Sequence, residues 1–342
     1  MRGHLRTAVV ALVGVVLVVL FFRNANLRDV WAEVTRARID LVVLAIMVTG
    51  LTYLFRAMRW QYLLAPIGHV GLGNALRMTV IGFAASAVLP ARAGEVLRPW
   101  LLARKEGLSA TAAFATIILE RVLDTVMVLL LFGLFLLLAD PDLGQGDPLA
   151  FSRLKVGGVV AAVLSIAAFA AMFFLAGHPG TLSSLQAGLE RVLPSRFAEA
   201  GTRFLRTFAN GLAIVRQPRR LAVALVLSVP LWLSIAAGIW CVSRAFHIPL
   251  PFVGSFLVMA LLVVGVAVPT PGAVGGFHYF YRLAATTFYG APNDRAVGAA
   301  IVLHAVSFVP VAVVGLALLA REGMSLASVG RLVRTDSAEE TA

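Results

Sequence analysis

Residues 82–98 read GFAASAVLPARAGEVLR, and this stretch decides what kind of chain it belongs to. An apolar run stops at Pro90, passes Arg92, Gly94 and Glu95, and reaches Arg98 with no polar loop around it. A loop in water would be richer in Ser, Asn and Asp. A helix that crosses a bilayer would not carry a proline, two arginines and a glutamate so close together. The stretch is therefore predicted to be a broken or re-entrant helix whose tip holds charge inside or near the bilayer.

The surrounding chain supports that reading. Of 342 residues, 60% are hydrophobic and 13% charged, against roughly 25% charged in soluble domains. The mean hydropathy is +0.91. The formal charge is +12, nearly all from arginine, with lysine only at 105 and 155. The positive-inside rule accounts for such an excess in a membrane protein without invoking nucleic acid. Cys241 has no second cysteine to pair with, and the histidines are scattered, so no metal or cofactor is expected.

The expected fold is all-α and polytopic, with about six full spans and two oppositely oriented broken or re-entrant hairpins in an inverted repeat. The spans are read at Thr7–Phe22, Leu41–Phe55, Ala110–Ala139, Val156–Ala176, Leu221–Val242 and Ala296–Leu319. Residues 24–40 and 178–220 read as amphipathic surface segments. Arg56, Arg59 and Trp60 read as an interface belt. The first hairpin breaks at Pro90 and Gly94, the second at residues 269–276, PTPGAVGG, with Pro269 and Pro271 at its tip. One transmembrane domain, 1–335, thus holds repeat one at about 7–139 and repeat two at about 156–320, followed by a polar, disordered tail at 336–342. The loop DPDLGQGDP lacks Lys and Arg and reads as external, which puts both termini in the cytoplasm. The expected location is the cytoplasmic (inner) membrane.

Six ionisable residues fall in or beside apolar segments: Arg92, Glu95, Arg98, Glu120, Arg121 and Asp124. Left unpaired at a helix centre they would oppose insertion by roughly 15–20 kcal/mol, so the first tip is expected to meet the stripe on the following helix. Salt bridges locking the hairpin are one reading of the cluster; a phosphate-binding site built on arginine is the other. At the second tip Gly272, Gly275 and Gly276 would expose backbone N–H groups beside a helix start, which suits an anion. His278 could titrate there.

Arg59-Trp60, Pro90-x-Arg92-x-Gly94-Glu95-x-x-Arg98, Glu120-Arg121-x-x-Asp124 and Pro269-x-Pro271-Gly272-x-x-Gly275-Gly276 together resemble the lysylphosphatidylglycerol synthase transmembrane-region family. The resemblance covers roughly residues 5–325. It implies a flippase-like integral membrane protein with a phospholipid or a polyprenyl-phosphate-linked lipid as partner. The sequence shows no soluble aminoacyltransferase domain, so synthesis of a lysyl lipid is not expected of it. The balance favours a transporter of an anionic lipid headgroup, with no catalytic residues, over an enzyme. An integral membrane transferase and a non-catalytic partner of a lipid-modifying enzyme stay open, as does a homo-oligomer.

Overall fold

The computed structural model describes residue 12, residues 15–89, 92–138, 195–267 and 270–322, and some of the positions between 152 and 191. Pro90, Pro269, the acidic loop and the tail lie outside the described residues. Every regular element among the described residues is helical, and the chain is an all-α polytopic membrane protein.

Helix α1 (Leu27–Arg36) starts where the Asn26 side chain accepts from the Arg28 N–H, with Asp29 in its first turn and Arg36 in its last. These charges complement the helix dipole. Val30 is buried, while Leu27 and Trp31 on the same short helix are exposed. Glu33 anchors it to Arg295 at 2.9 Å.

Among the described residues four helices are long and apolar enough to cross a membrane: α2 (Ile39–Leu64), α5 (Ala110–Leu138), α7 (Pro218–Ala245) and α10 (Asn293–Arg321). They account for four of the six expected spans; the segments expected at 7–22 and 156–176 are only partly described. Between α2 and α5 lie α3 (Leu72–Val88) and α4 (Gly94–Glu106); between α7 and α10 lie α8 (Gly254–Ala267) and α9 (Gly276–Tyr289). At 17 and 14 residues, α3 and α8 reach about 25 and 21 Å, short of the roughly 30 Å hydrocarbon core. Helix α6 (Ser195–Gly211) lies against α5, where Gly211 lets the backbone close on the Ala112 carbonyl.

Each broken pair is stitched by two glycines. A Cβ on Gly94 would overlap the Gly82 carbonyl, and one on Gly265 would stand 2.6 Å from the Gly276 carbonyl. Only hydrogen at Cα lets the two backbones of each pair pass so closely. Both turns use left-handed backbone: Arg92 at φ 55° in the first, Gly272, Ala273 and Gly275 at φ 59°, 56° and 92° in the second. Leu89 ends α3 in extended conformation (φ −88°, ψ 147°), as a residue before proline must.

Packing joins the two halves. Helix α2 lies along α7; α3 packs on α10 and α8 on α5; α4 packs on α5 and α9 on α10. The α3–α10 seam is close: a Cβ on Gly315 would stand 2.6 Å from the Val80 carbonyl. Lys105 (2.8 Å) and Arg77 (3.0 Å) close its end on Glu322. Valines and leucines at 43, 130, 134, 137, 309 and 313 stay exposed, as lipid-facing positions do.

Candidate functional site

Glu120 and Asp124 are one turn apart on α5, so both carboxylates point the same way. Arg56 and Arg59 are three apart on α2 and face them from the neighbouring helix. Arg59, wholly buried, brings Nη2 to 2.7 Å from Asp124 Oδ1 and 3.3 Å from Glu120 Oε1, and donates through Nη1 to Ser228 Oγ on α7 (2.8 Å). Arg56 Nη1 lies 3.2 Å from Glu120 Oε1 and 3.5 Å from Asp124 Oδ2. Trp232, one turn beyond Ser228, donates its indole N–H to Asp124 Oδ1 at 3.0 Å.

The first hairpin closes the cluster. Arg98 on α4 reaches Glu120 Oε2 at 3.2 Å and lays its guanidinium 3.7 Å from the Trp60 ring centroid. Arg121 bridges Glu120 (3.1 Å) and Asp124 (3.3 Å), with Glu95 at 4.0 Å. Arg92 and Glu95 pair at 3.5 Å on the rim.

Beside this cluster lies a cavity of about 410 Å³. Arg56, Arg98, Arg121 and Asp124 line its polar end, with Arg92 and Glu95 at the rim. Met259, Leu262, Val263 and Val266 of α8 line an apolar wall. Thr270, Ala273 and Phe277 bring the second turn to the same space. The two turns touch, since a Cβ on Gly272 would stand 3.3 Å from the Ala87 carbonyl.

The other residues named at the second tip stand behind the cavity wall. Gly276 crosses Gly265, and the positive φ of Gly275 turns the chain into α9. The Gly272 carbonyl accepts from His304 Nε2 at 2.7 Å. His278 packs its ring, tilted, against His304 (4.4 Å between ring centroids) and Phe21 (5.0 Å), with Nδ1 unpartnered.

The residues that sequence reasoning missed are Arg56, Arg59 and Trp60, which are buried in this cluster and do not form an interface belt. The sequence carried one ambiguous signal: two arginines at i, i+3 present one face, which suits an interface belt as well as a buried pair. Ser228 and Trp232, at i, i+4 in an apolar helix, carry no comparable mark.

Comparison with known proteins matches residues 6–315 to a family model described as the lysylphosphatidylglycerol synthase TM region. The chain belongs to this family. As a member of the lysylphosphatidylglycerol synthase TM region family it is a multi-pass membrane protein of a lipid-related group. It is also similar to a UPF0104 membrane protein of Methanocaldococcus jannaschii, 28% identical over 101 residues, which is 29% of this chain and 30% of that protein. The match thus spans about a third of the relative's length.

Proposed function

We propose that this chain is a flippase-like transporter that moves an anionic lipid headgroup, or a lipid-linked one, across the membrane. The observation that carries the reading is charge: four guanidiniums, of Arg56, Arg59, Arg98 and Arg121, surround two carboxylates beside an apolar-walled cavity. A closed set of structural salt bridges would balance its charge and fill its space. Here positive charge is in excess and space is left next to it.

The headgroup sits against Arg121, Arg98 and Arg56, with Arg92 and Glu95 at the mouth, while the acyl chains stay along α8 and the bilayer. The α3–α4 and α8–α9 pairs are re-entrant hairpins from opposite faces, one in each of two inverted repeats. The matched pairing of α3 with α10 and α8 with α5, and of α4 with α5 and α9 with α10, supports that internal symmetry. So does a glycine crossing in each hairpin. Inverted repeats with broken helices meeting at a central site are how many transporters alternate access.

Purified protein in liposomes with headgroup-labelled anionic lipids tests this. Translocation well above protein-free liposomes, reduced by Arg121→Gln, is the expected result. Translocation no faster than in protein-free liposomes, across anionic phospholipids and polyprenyl phosphates alike, would defeat the reading.

A further inference from the structure

The charge inventory of the cluster narrows the class of headgroup. Counting both carboxylates as ionised, the four buried or half-buried arginines leave two positive charges unmatched. The rim adds nothing to the sum, because Arg92 pairs with Glu95. Among the described residues α8 and the second turn supply no compensation, lining the cavity with apolar side chains and a threonine. Arg59 and Arg98 are 0% and 3% exposed, so water does little to screen them. Hydrogen bonding is also incomplete, with Arg98 Nε and Nη2, Arg56 Nε and Arg121 Nε lacking any acceptor. Buried guanidinium donors left unmatched call for an acceptor-rich anion.

Resting on the lipid-transport reading, we infer that the ligand is a phosphomonoester dianion carried on an apolar chain. A terminal phosphate carries close to two negative charges at neutral pH, three acceptor oxygens and a second pKa of about 6. It matches both the charge excess and the forked guanidinium geometry. A phosphodiester headgroup brings one charge and leaves the site cationic. A lysyl ester of such a headgroup adds an ammonium, which meets only Glu95 at the rim and a largely covered Asp124. The site therefore selects against the aminoacylated lipid that the family's name evokes. The apolar wall of Met259, Leu262, Val263 and Val266 receives the first part of the chain.

The test is equilibrium binding to the full chain in detergent, read by thermophoresis. The four probes are dioleoyl phosphatidic acid, dioleoyl phosphatidylglycerol, its lysyl ester, and glycerol 3-phosphate. At pH 8 phosphatidic acid binds at least about tenfold tighter than phosphatidylglycerol, with the lysyl ester weakest. That preference shrinks at pH 5, where the monoester regains its second proton, while phosphatidylglycerol binding stays level. Arg121→Gln, which removes one of the two unmatched charges, also reduces the preference. Equal binding of the two phospholipids, or tighter binding of the lysyl ester, overturns the dianion and leaves lipid transport standing. Glycerol 3-phosphate binding as tightly as phosphatidic acid keeps the dianion and overturns the lipid source. Failure of all four to bind overturns the dianion and the lipid-site reading together.

Discussion

The Arg98 guanidinium lies over the Trp60 indole at 3.7 Å from the ring centroid, and its Nη1 reaches Glu120 at 3.2 Å. One side chain of the first hairpin is thus held by an aromatic face on α2 and a carboxylate on α5. Trp60 is itself fixed, because its indole N–H donates to Thr116 Oγ1 at 3.0 Å. A desolvated cation–π contact contributes about 2 kcal/mol, and a neutral hydrogen bond about 1 kcal/mol. Trp60→Phe keeps a ring and loses the hydrogen bond; Trp60→Leu loses both. The expected order of thermal stability in detergent is wild type, then Phe, then Leu. Equal losses for the two variants would show that the ring contributes nothing to holding Arg98.

Glu120, 0% exposed, is the hub on which Arg56, Arg59, Arg98 and Arg121 converge. Glu120→Gln keeps the shape and leaves four guanidiniums with Asp124 alone. Removing one partner from a buried ion-pair network costs about 3–5 kcal/mol, so the yield of folded protein should fall sharply by fluorescence-detected size exclusion. Pairing it with Arg98→Gln removes one charge of each sign, and the double variant should be more stable than the sum of the singles implies.

The glycine crossings make a comparison with built-in controls. Gly94→Ala and Gly276→Ala each drive a Cβ into a facing carbonyl of the partner helix. Both should destabilise by about 3 kcal/mol, within the range for overpacking. Gly50→Ala and Gly133→Ala, which meet nothing within 4 Å inside α2 and α5, should be neutral or gain up to about 1 kcal/mol from helix propensity. A tolerated Gly94→Ala would mean that the hairpin does not close as described.

Beyond the end of α10, the Lys105 hydrogen bond holds the Glu322 carboxyl below its ordinary range, with Arg77 adding to the effect. A depressed carboxylate stabilises the fold above the unfolded value of about 4.3, and that stabilisation is lost as pH falls through the folded value. Melting temperature should therefore stay level above about pH 5 and drop on further acidification. The drop should be smaller in Glu322→Gln and shallower at high salt, since the group is partly exposed. Identical pH profiles for the two proteins would rule Glu322 out as the titrating group.

Much of the fold is legible in the chain. Long apolar runs at α2, α5, α7 and α10 announce themselves, because a bilayer accepts a backbone only when it is helical and hydrogen-bonded internally. Pro90 and the glycines at 272–276 mark the breaks, since proline and clustered glycine weaken a helix; proline alone is not decisive, because Pro99, Pro230 and Pro310 sit inside helices. Charges at 92, 95, 98, 120, 121 and 124 stand out against apolar neighbours, and their cost in lipid flags them.

Arg56 and Arg59 were not legible in the same way. At the end of an apolar run, an arginine that snorkels to the interface and one that turns inward to a carboxylate look alike in sequence. Only the packing of α2 between α5 and α7 turns both inward, onto Glu120 and Asp124. That placement changes the sign of the site: six charges read along the chain balance, whereas the assembled cluster is cationic. Sequence by itself determined that this is a helical membrane protein whose apolar runs are broken at two places and carry costly charges, because lipid penalises each unsatisfied polar group locally. Tertiary structure alone decided which charges meet, since ion pairing acts through space and falls off within a few ångströms of contact.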